Sequence, residues 1–295
     1  MIDDPAVNWL IDEPMLHEPV LVVMLTGWID AAGAGAAAAE AVSDGCNAAP
    51  IARFDDDTFI DFRARRPTLE LRDGLNTDLS WSTIELRSGR TPDGRDVLML
   101  LGPEPDMAWN RFGKVVADIA VDVGVTTMVG FGAYPFAAPH TRPSRLSVSS
   151  PSTDVLASVT FARSSVDVPA GMAAVLEHAL HARKVPALGI WAQVPHYVST
   201  MAYPAASVAL LEGLREATGV SISSEELERE VSGLRRRLDD TVAENSEHQS
   251  MLHQLEELYD ASDEPGESID DGPSLEMRSG DDLAAEIQQF LRDQD

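Results

Sequence analysis

The sequence predicts an α/β fold with a largely parallel central sheet. Two continuous apolar runs of strand length, 20–25 and 97–101, lack the alternation of a half-exposed strand. Such runs are typical of strands whose two faces are both covered by helices. Between the predicted strands, apolar residues recur at helical spacing, as at Trp109, Phe112 and Val116.

The first half of the chain alternates strands and helices. Asp30 is placed to cap an alanine-rich helix over 31–42, and 51–54 predicts a second strand. Beyond it, 68–72 and 83–87 flank the turn signal Asp73-Gly74 and predict a hairpin, with Trp81 packed beneath it.

The second half continues the alternation. Asp106 is placed as N-cap of the helix that contains Trp109, and Gly124 ends that helix. The predicted elements that follow are a strand at 126–129, a loop at 133–143, a helix at 169–183, a strand at 188–194 and a helix from Pro204 to Gly219.

The C-terminal quarter differs in composition. From Ser221 onward the chain has 6 Arg and 22 Asp or Glu, and apolar residues at helical spacing run over 227–242 and 252–258. This pattern predicts a helical hairpin or one long helix. An acidic, Pro- and Gly-containing stretch at 260–273 predicts a linker, and 283–291 a final amphipathic helix. We therefore predict an α/β domain at 1–220 and an acidic helical subdomain at 221–295.

Charge and cysteine content exclude several classes of function. A formal net charge of −27 disfavours binding to nucleic acid or to acidic lipids, because such binding requires a basic surface. Cys46 is the only cysteine, which excludes an intramolecular disulfide and a Cys-based zinc cluster. The N-terminus lacks the features of a signal peptide, and no apolar run approaches the ~20 residues that span a bilayer. We expect a cytoplasmic protein.

Polar side chains gather where three predicted strands end. If these strands are parallel, their loops share one rim of the sheet, which is where α/β proteins bind ligands. Together with Asp30, the candidate ligand-binding residues are Glu104, Asp106, His140, Arg142, His196 and Tyr197. Pro139 and Pro143 restrict the backbone around His140 and Arg142 and pre-position both side chains.

A structural interpretation competes with the functional one for each of these groups. Glu104 and Asp106 form either an acid–base pair or an arginine partner and a helix cap, in equal balance. His140 and Arg142 either bind a ligand or satisfy loop carbonyls and a buried ion pair. Arg63, Arg65 and Arg66 either bind an anion or acidic partner or, as the charge excess favours, neutralise the acidic residues at 55–57.

No complete cofactor or metal signature is present. The stretch 33–38 fits the loose pattern G-x-G-x-x-A with Asp55 about 20 residues later, but it does not directly follow a strand, which favours a close-packed helix. His178 and His181 share a helical face without further metal ligands. A phosphate-binding P-loop and a G-x-S-x-G nucleophile elbow are both absent from the sequence. We expect no cofactor and no metal.

Four motifs in order resemble the bacterial branch of the PAC2 family, relatives of proteasome assembly chaperone 2. They are Gly27-Trp28-Ile29-Asp30-Ala31-Ala32-Gly33, Gly102-Pro103-Glu104-Pro105-Asp106 with Trp109, Pro139-His140-Thr141-Arg142-Pro143, and Val194-Pro195-His196-Tyr197. The resemblance implies a three-layer α/β/α body similar to phosphorylase and hydrolase-like folds, a C-terminal helical subdomain, and self-association as trimers. Eukaryotic relatives bind proteins, often through a C-terminal hydrophobic-Tyr-any tripeptide, whereas this sequence ends Asp293-Gln294-Asp295.

Two functions follow as hypotheses, and the sequence leaves open whether any reaction is catalysed. The first is a non-catalytic, oligomeric protein-binding or assembly-chaperone-like factor with an unidentified protein client. The alternative is an enzyme or sensor that binds an anionic small molecule, a nucleotide or phosphorylated metabolite, at the strand-end rim.

Overall fold

The computed structural model describes residues 4–12 and 14–261, and within them the chain alternates strands and helices. The strands are β1 (Val7–Trp9), β2 (Val20–Thr26), β3 (Ala49–Phe54), β4 (Thr68–Arg72), β5 (Leu75–Ser80), β6 (Glu85–Arg90), β7 (Asp96–Pro103), β8 (Thr127–Phe136), β9 (Leu146–Ser149) and β10 (Ala187–Pro195). The helices are α1 (Ala34–Gly45), α2 (Asp56–Phe59), α3 (Trp109–Asp122), α4 (Thr153–Ala157), α5 (Met172–Ala182), α6 (Pro204–Thr218), α7 (Glu225–Ala243) and α8 (Ser246–Ala261). None of the helices in this part of the chain is both long and apolar enough to cross a bilayer.

The chain forms two compact units that interleave along the sequence. The first contains the described residues of Met1–Trp28 with Ser43–Gly130 and Ala170–Ala187. The second contains Ile29–Val42, Phe131–Pro169 and the described residues from Leu188 onward. Both described helices of the predicted C-terminal subdomain, α7 and α8, belong to the second unit.

In the first unit, strands pair in the order β1-β3-β6-β7-β2-β8. The innermost strand β2 runs parallel to β7, with Val20 opposite Val97, and parallel to β8. The outer pairs β1–β3, β3–β6 and β6–β7 are antiparallel. Residues Val20–Leu25 of β2 are all buried, which accounts for their unbroken apolar sequence.

One face of this sheet packs on α3 and α5. Phe112, Val116 and Ile119 of α3 join Leu176 and Leu180 of α5 in the same buried cluster as the β2 and β7 side chains. The predicted apolar face of α3 is therefore the face that builds the core.

In the second unit, the end of β8 is followed in the sheet by β10 and then by β9, and β9 pairs antiparallel with β10. Gly132 allows close approach here, because a Cβ at this position would lie 2.4 Å from the Trp191 ring. Helix α6 begins at Pro204 and ends at Gly219 in a left-handed conformation, as predicted.

The predicted α/β class with a central sheet is confirmed, and three local predictions are wrong. The turn at Asp73-Gly74 joins β4 to β5 rather than to 83–87, which lies mainly in β6 of the central sheet. Trp81 is half exposed rather than packed beneath the hairpin. Strand β8 continues to Phe136, so the first four residues of the predicted loop at 133–143 are extended strand.

The C-terminal hairpin is formed by α7 and α8, which are separated by Glu244 and Asn245. Asp239 of α7 and Glu256 of α8 contact neighbouring residues, His140 and Thr141, so the second helix folds back along the first. Most of the predicted linker at 260–273 and the whole predicted helix at 283–291 lie outside the described residues.

Candidate functional site

Glu104 in the first unit caps a helix. It follows β7 and is buried, and its carboxylate accepts a hydrogen bond from the backbone N–H of Met172, the first residue of α5. A carboxylate at a helix N-terminus satisfies an otherwise unpaired donor and interacts favourably with the helix dipole. The structural interpretation predicted an arginine as the partner of Glu104, but the partner is the backbone amide of Met172.

Asp106 is not the N-cap of α3, contrary to prediction. That position is held by Ala108 in a left-handed conformation, and the Asp106 carboxylate instead binds Arg65 Nε at 3.0 and 3.1 Å. The same carboxylate accepts the N–H of Asp61 at 3.0 Å. Arg65 therefore neutralises Asp106. The charge excess alone had predicted that it would neutralise the acidic residues at 55–57.

Asp30 in the second unit caps α1, as predicted. Its two carboxylate oxygens accept the N–H groups of Gly35 at 2.7 Å and Ala36 at 3.1 Å. Burial raises the pKa of Asp30, while these two hydrogen bonds oppose the shift. The amides that a bound phosphate would need at this helix start are already taken, which favours the structural interpretation of the glycine pattern at 33–38.

His140 lies at the centre of a hydrogen-bond chain between the buried Tyr197 and the half-exposed Asp239. Its Nδ1 lies 2.8 Å from Tyr197 Oη, its Nε2 lies 3.2 Å from Asp239 Oδ1, and its backbone N–H donates to Tyr197 Oη at 2.8 Å. Burial lowers the pKa of His140. A neutral imidazole with its proton on Nε2 satisfies every contact, because that N–H donates to Asp239 and Nδ1 accepts the Tyr197 hydroxyl proton.

The order Tyr197–His140–Asp239 resembles a nucleophile, base and orienting acid, but the hydroxyl is inaccessible. Tyr197 is only 1% exposed. Burial raises the pKa of its hydroxyl, which also accepts a backbone N–H. These contacts fix the Tyr197 hydroxyl as part of the core.

Arg142 is held by the C-terminal hairpin. Its guanidinium contacts Glu256 at 3.1 Å and binds Asp260 through Nε at 2.9 Å and Nη2 at 2.7 Å. These two carboxylates raise the pKa of Arg142, with Asp260 contributing most. The guanidinium is thus already paired twice by its own chain.

Neighbouring loop residues are held in the same way. The Arg145 guanidinium stacks 3.7 Å from the centre of the Tyr259 ring, and the Tyr259 hydroxyl donates to the Pro143 carbonyl at 2.9 Å. Arg235 of α7 donates to the Thr141 carbonyl at 3.3 Å. Loop 139–145 and the helices α7 and α8 therefore form one bonded assembly, which we call the loop clamp.

His196 follows β10 in a short 3₁₀ turn with Tyr197. The two rings meet edge to face with centroids 5.3 Å apart. Within the second unit the structure therefore brings His140, His196 and Tyr197 together as predicted, whereas Asp30 bonds to the start of α1.

A cavity of about 170 Å³ lies beside the loop clamp. Its lining includes His140, Arg142, Arg235 and Tyr203 and the apolar side chains of Val231, Leu234 and Leu238. Both arginines already bind protein oxygens, so an anion entering this cavity must compete with Glu256 and Asp260 for Arg142.

Two groups that determine this arrangement escaped the sequence predictions, namely Asp239 and the pair Glu256 and Asp260. Arg65 was singled out, but with a different partner. The acidic excess after Ser221 signals that carboxylates are available, but no local pattern identifies which of them meet the loop. In the described residues, no group of three His, Cys, Asp or Glu side chains is arranged to hold a metal ion.

Fold and site together define an α/β protein with an appended helical hairpin, whose polar strand-end residues brace the surrounding loops. The chain belongs to the PAC2 family, whose family model matches residues 24–242. The family predicted from the four motifs is therefore confirmed. A comparison with curated proteins finds no match.

Several solved structures are similar to this chain. A Corynebacterium glutamicum protein of unknown function is 31% identical with a TM-score of 0.81, and the match covers 88% of this chain and 98% of the other. A Mycobacterium tuberculosis protein of unknown function is 29% identical with a TM-score of 0.78, over 88% and 90%. A second M. tuberculosis protein, described as a proteasome-assembly chaperone homologue, is 30% identical with a TM-score of 0.73, over 79% and 99%.

Proposed function

We propose that this PAC2 protein is a non-catalytic, self-associating cytoplasmic factor that binds other protein subunits while they assemble. The family resemblance implies trimers and so supports self-association. The similarity to a proteasome-assembly chaperone homologue supports binding to protein clients. The observation that carries the proposal is the burial of Tyr197 and His140, which are 1% and 5% exposed and hold the nucleophile and base positions of the Tyr197–His140–Asp239 chain.

The other candidate residues support the same proposal. Glu104 and Asp30 bind helix-terminal amides, Asp106 binds Arg65, and Arg142 binds two carboxylates. A catalytic acid or base must be free to exchange a proton with a substrate. Groups already occupied in this way stabilise loops, and a scaffold of rigid loops is suited to protein binding.

Affinity capture of the full chain from its own cytosol under mild conditions tests the proposal. We expect near-stoichiometric recovery of subunits that all belong to one larger complex, in a form that is absent from the finished complex. Recovery of self-oligomer alone, together with turnover of a metabolite by the purified protein, would contradict it.

The cavity beside Arg142 provides the test of the alternative, an anion-binding enzyme or sensor. A ligand that binds only the native state raises the unfolding midpoint. We expect no increase in midpoint with nucleotides, nucleosides or phosphorylated metabolites. An increase that disappears in Arg142→Ala would favour the alternative over our proposal.

A further inference from the structure

Strands β4 and β5 form a separate two-stranded sheet in the first unit. Leu69 lies directly opposite Leu79, and the alternation of side chains places Leu71 on the same face. The opposite face is largely polar and includes the Glu70–Arg72 ion pair. We call residues 61–81 the arm, and the face with Leu69, Leu71 and Leu79 its apolar face.

The apolar face is uncovered. Leu69, Leu71 and Leu79 are 45%, 55% and 40% exposed, and Trp81, the residue after β5, is 50% exposed. An isolated two-stranded hairpin is marginally stable in water, and large exposed apolar patches mark interaction sites. The arm therefore needs a partner surface to cover its apolar face.

The arm is anchored firmly at its base. Asp106 accepts hydrogen bonds from Arg65 and from the N–H of Asp61, and the N–H of Asp106 donates to the Phe59 carbonyl at 2.8 Å. Phe62 and Trp81 meet edge to face with ring centroids 4.7 Å apart. A pre-positioned surface loses little conformational entropy on binding.

Charge supports a second copy of this chain as the occupant. The arm contains four acidic and four basic residues and carries no net charge, whereas the whole chain carries −27. Two copies of so acidic a chain repel each other over most of their surfaces, but charges beyond a Debye length of about 8–10 Å are screened. The neutral arm is thus a surface where two copies can meet without local repulsion.

The size of the exposed apolar patch also supports a second copy of this chain as the occupant. The four exposed side chains of each copy contribute a patch on the order of a few hundred Å². A second copy that covers this patch buries a similar area of its own surface, so the contact approaches the roughly 1,000 Å² that a specific interface needs. We propose that the apolar face of the arm is a self-association surface, covered in solution by a second copy of this chain. This inference rests on the self-association in the proposed function and assigns it to specific residues.

Sedimentation velocity of the full chain over a range of micromolar concentrations tests the proposal. The double substitution Leu69→Asp and Leu71→Asp charges the apolar face. The matched control, Leu75→Asp and Ser80→Asp, adds the same charge to the opposite face, on which Leu75 pairs with Arg72 and Ser80 with Thr68. We expect wild type and control to associate, and the apolar-face variant to associate on the order of 100-fold more weakly.

A monomeric wild type, or an apolar-face variant that associates like the control, would overturn the proposal.

Thiol labelling of Leu71→Cys gives a second measurement that does not disrupt the surface. Cys46 is buried and its pKa is raised to about 11, so it contributes little background. Labelling should slow as protein concentration rises, and a rate independent of concentration would also overturn the proposal. If the wild type and the apolar-face variant associate equally well and both capture clients, the proposed function stands and the arm is rejected as the self-association surface.

Discussion

His140 shows how a residue suited to chemistry becomes part of a core. Its imidazole is fixed between a buried tyrosine hydroxyl and Asp239, and burial lowers its pKa. The unfolded chain therefore binds a proton at this histidine more readily than the folded chain does. The contribution of His140 to stability is complete above its unfolded pKa of 6.5 and is lost as pH falls toward the lower folded value.

The substitution His140→Gln removes this titration and retains an N–H donor for Asp239. We expect urea unfolding of the wild type to lose stability more steeply than the variant as pH is lowered from 6.5. All other histidines are common to both proteins, so the difference between the two pH profiles isolates His140. Parallel profiles would show that His140 is not held neutral by the fold.

Glu104 provides a second prediction at the scale of single residues. Glu104→Ala leaves the buried N–H of Met172 unsatisfied and should lower the free energy of unfolding by about 1–3 kcal/mol. Glu104→Gln keeps an acceptor oxygen and should cost less. Chemical denaturation measures both variants, and equal stability of Glu104→Ala and wild type would contradict the capping role.

At the scale of elements, the loop clamp joins α8 to a loop more than 100 residues earlier. Arg142→Ala removes the ion pairs with Glu256 and Asp260. We expect faster amide hydrogen exchange in α8 and unchanged exchange in β2, because α8 then keeps fewer bonds to the loop. Glu257→Ala is the matched control, since it removes a His253 pair within α8. Unchanged exchange in α8 of Arg142→Ala would contradict the clamp.

Local signals in the sequence predicted several elements well. The apolar run at 20–25 forms most of β2, and Asp30 caps α1. Helix α6 begins at Pro204 and is ended by Gly219. Each of these depends on residues within one turn or one strand. The helix after Asp30 begins later than predicted, because Ala32 and Gly33 adopt left-handed conformations that interrupt it.

The sequence patterns did not predict contacts between residues that lie far apart along the chain. Asp106 fits a helix cap locally, yet Arg65, 41 positions earlier, takes its carboxylate. The loop residues His140 and Arg142 were identified, but their partners lie about 100 residues later on α7 and α8. Likewise, Leu69 and Leu71 are exposed because β4 and β5 form a separate sheet, while β6 pairs within the central sheet.

In the whole molecule, two kinds of residue have different roles. The polar residues of the four family motifs hold loops and helix ends in place, and the apolar arm rooted on one of those motifs provides a surface for association. Binding to proteins therefore should not depend on the proton-transfer capacity of the motif residues.

Quantitative affinity capture with the wild type and with the double variant Glu104→Gln and His140→Gln shows whether protein binding needs these proton-transfer groups. Both substitutions keep hydrogen-bonding groups of similar shape while removing a carboxylic acid and an imidazole. We expect both proteins to recover the same complex subunits in the same ratio. Recovery of self alone by both proteins, with a metabolite turnover that the double variant abolishes, would contradict it.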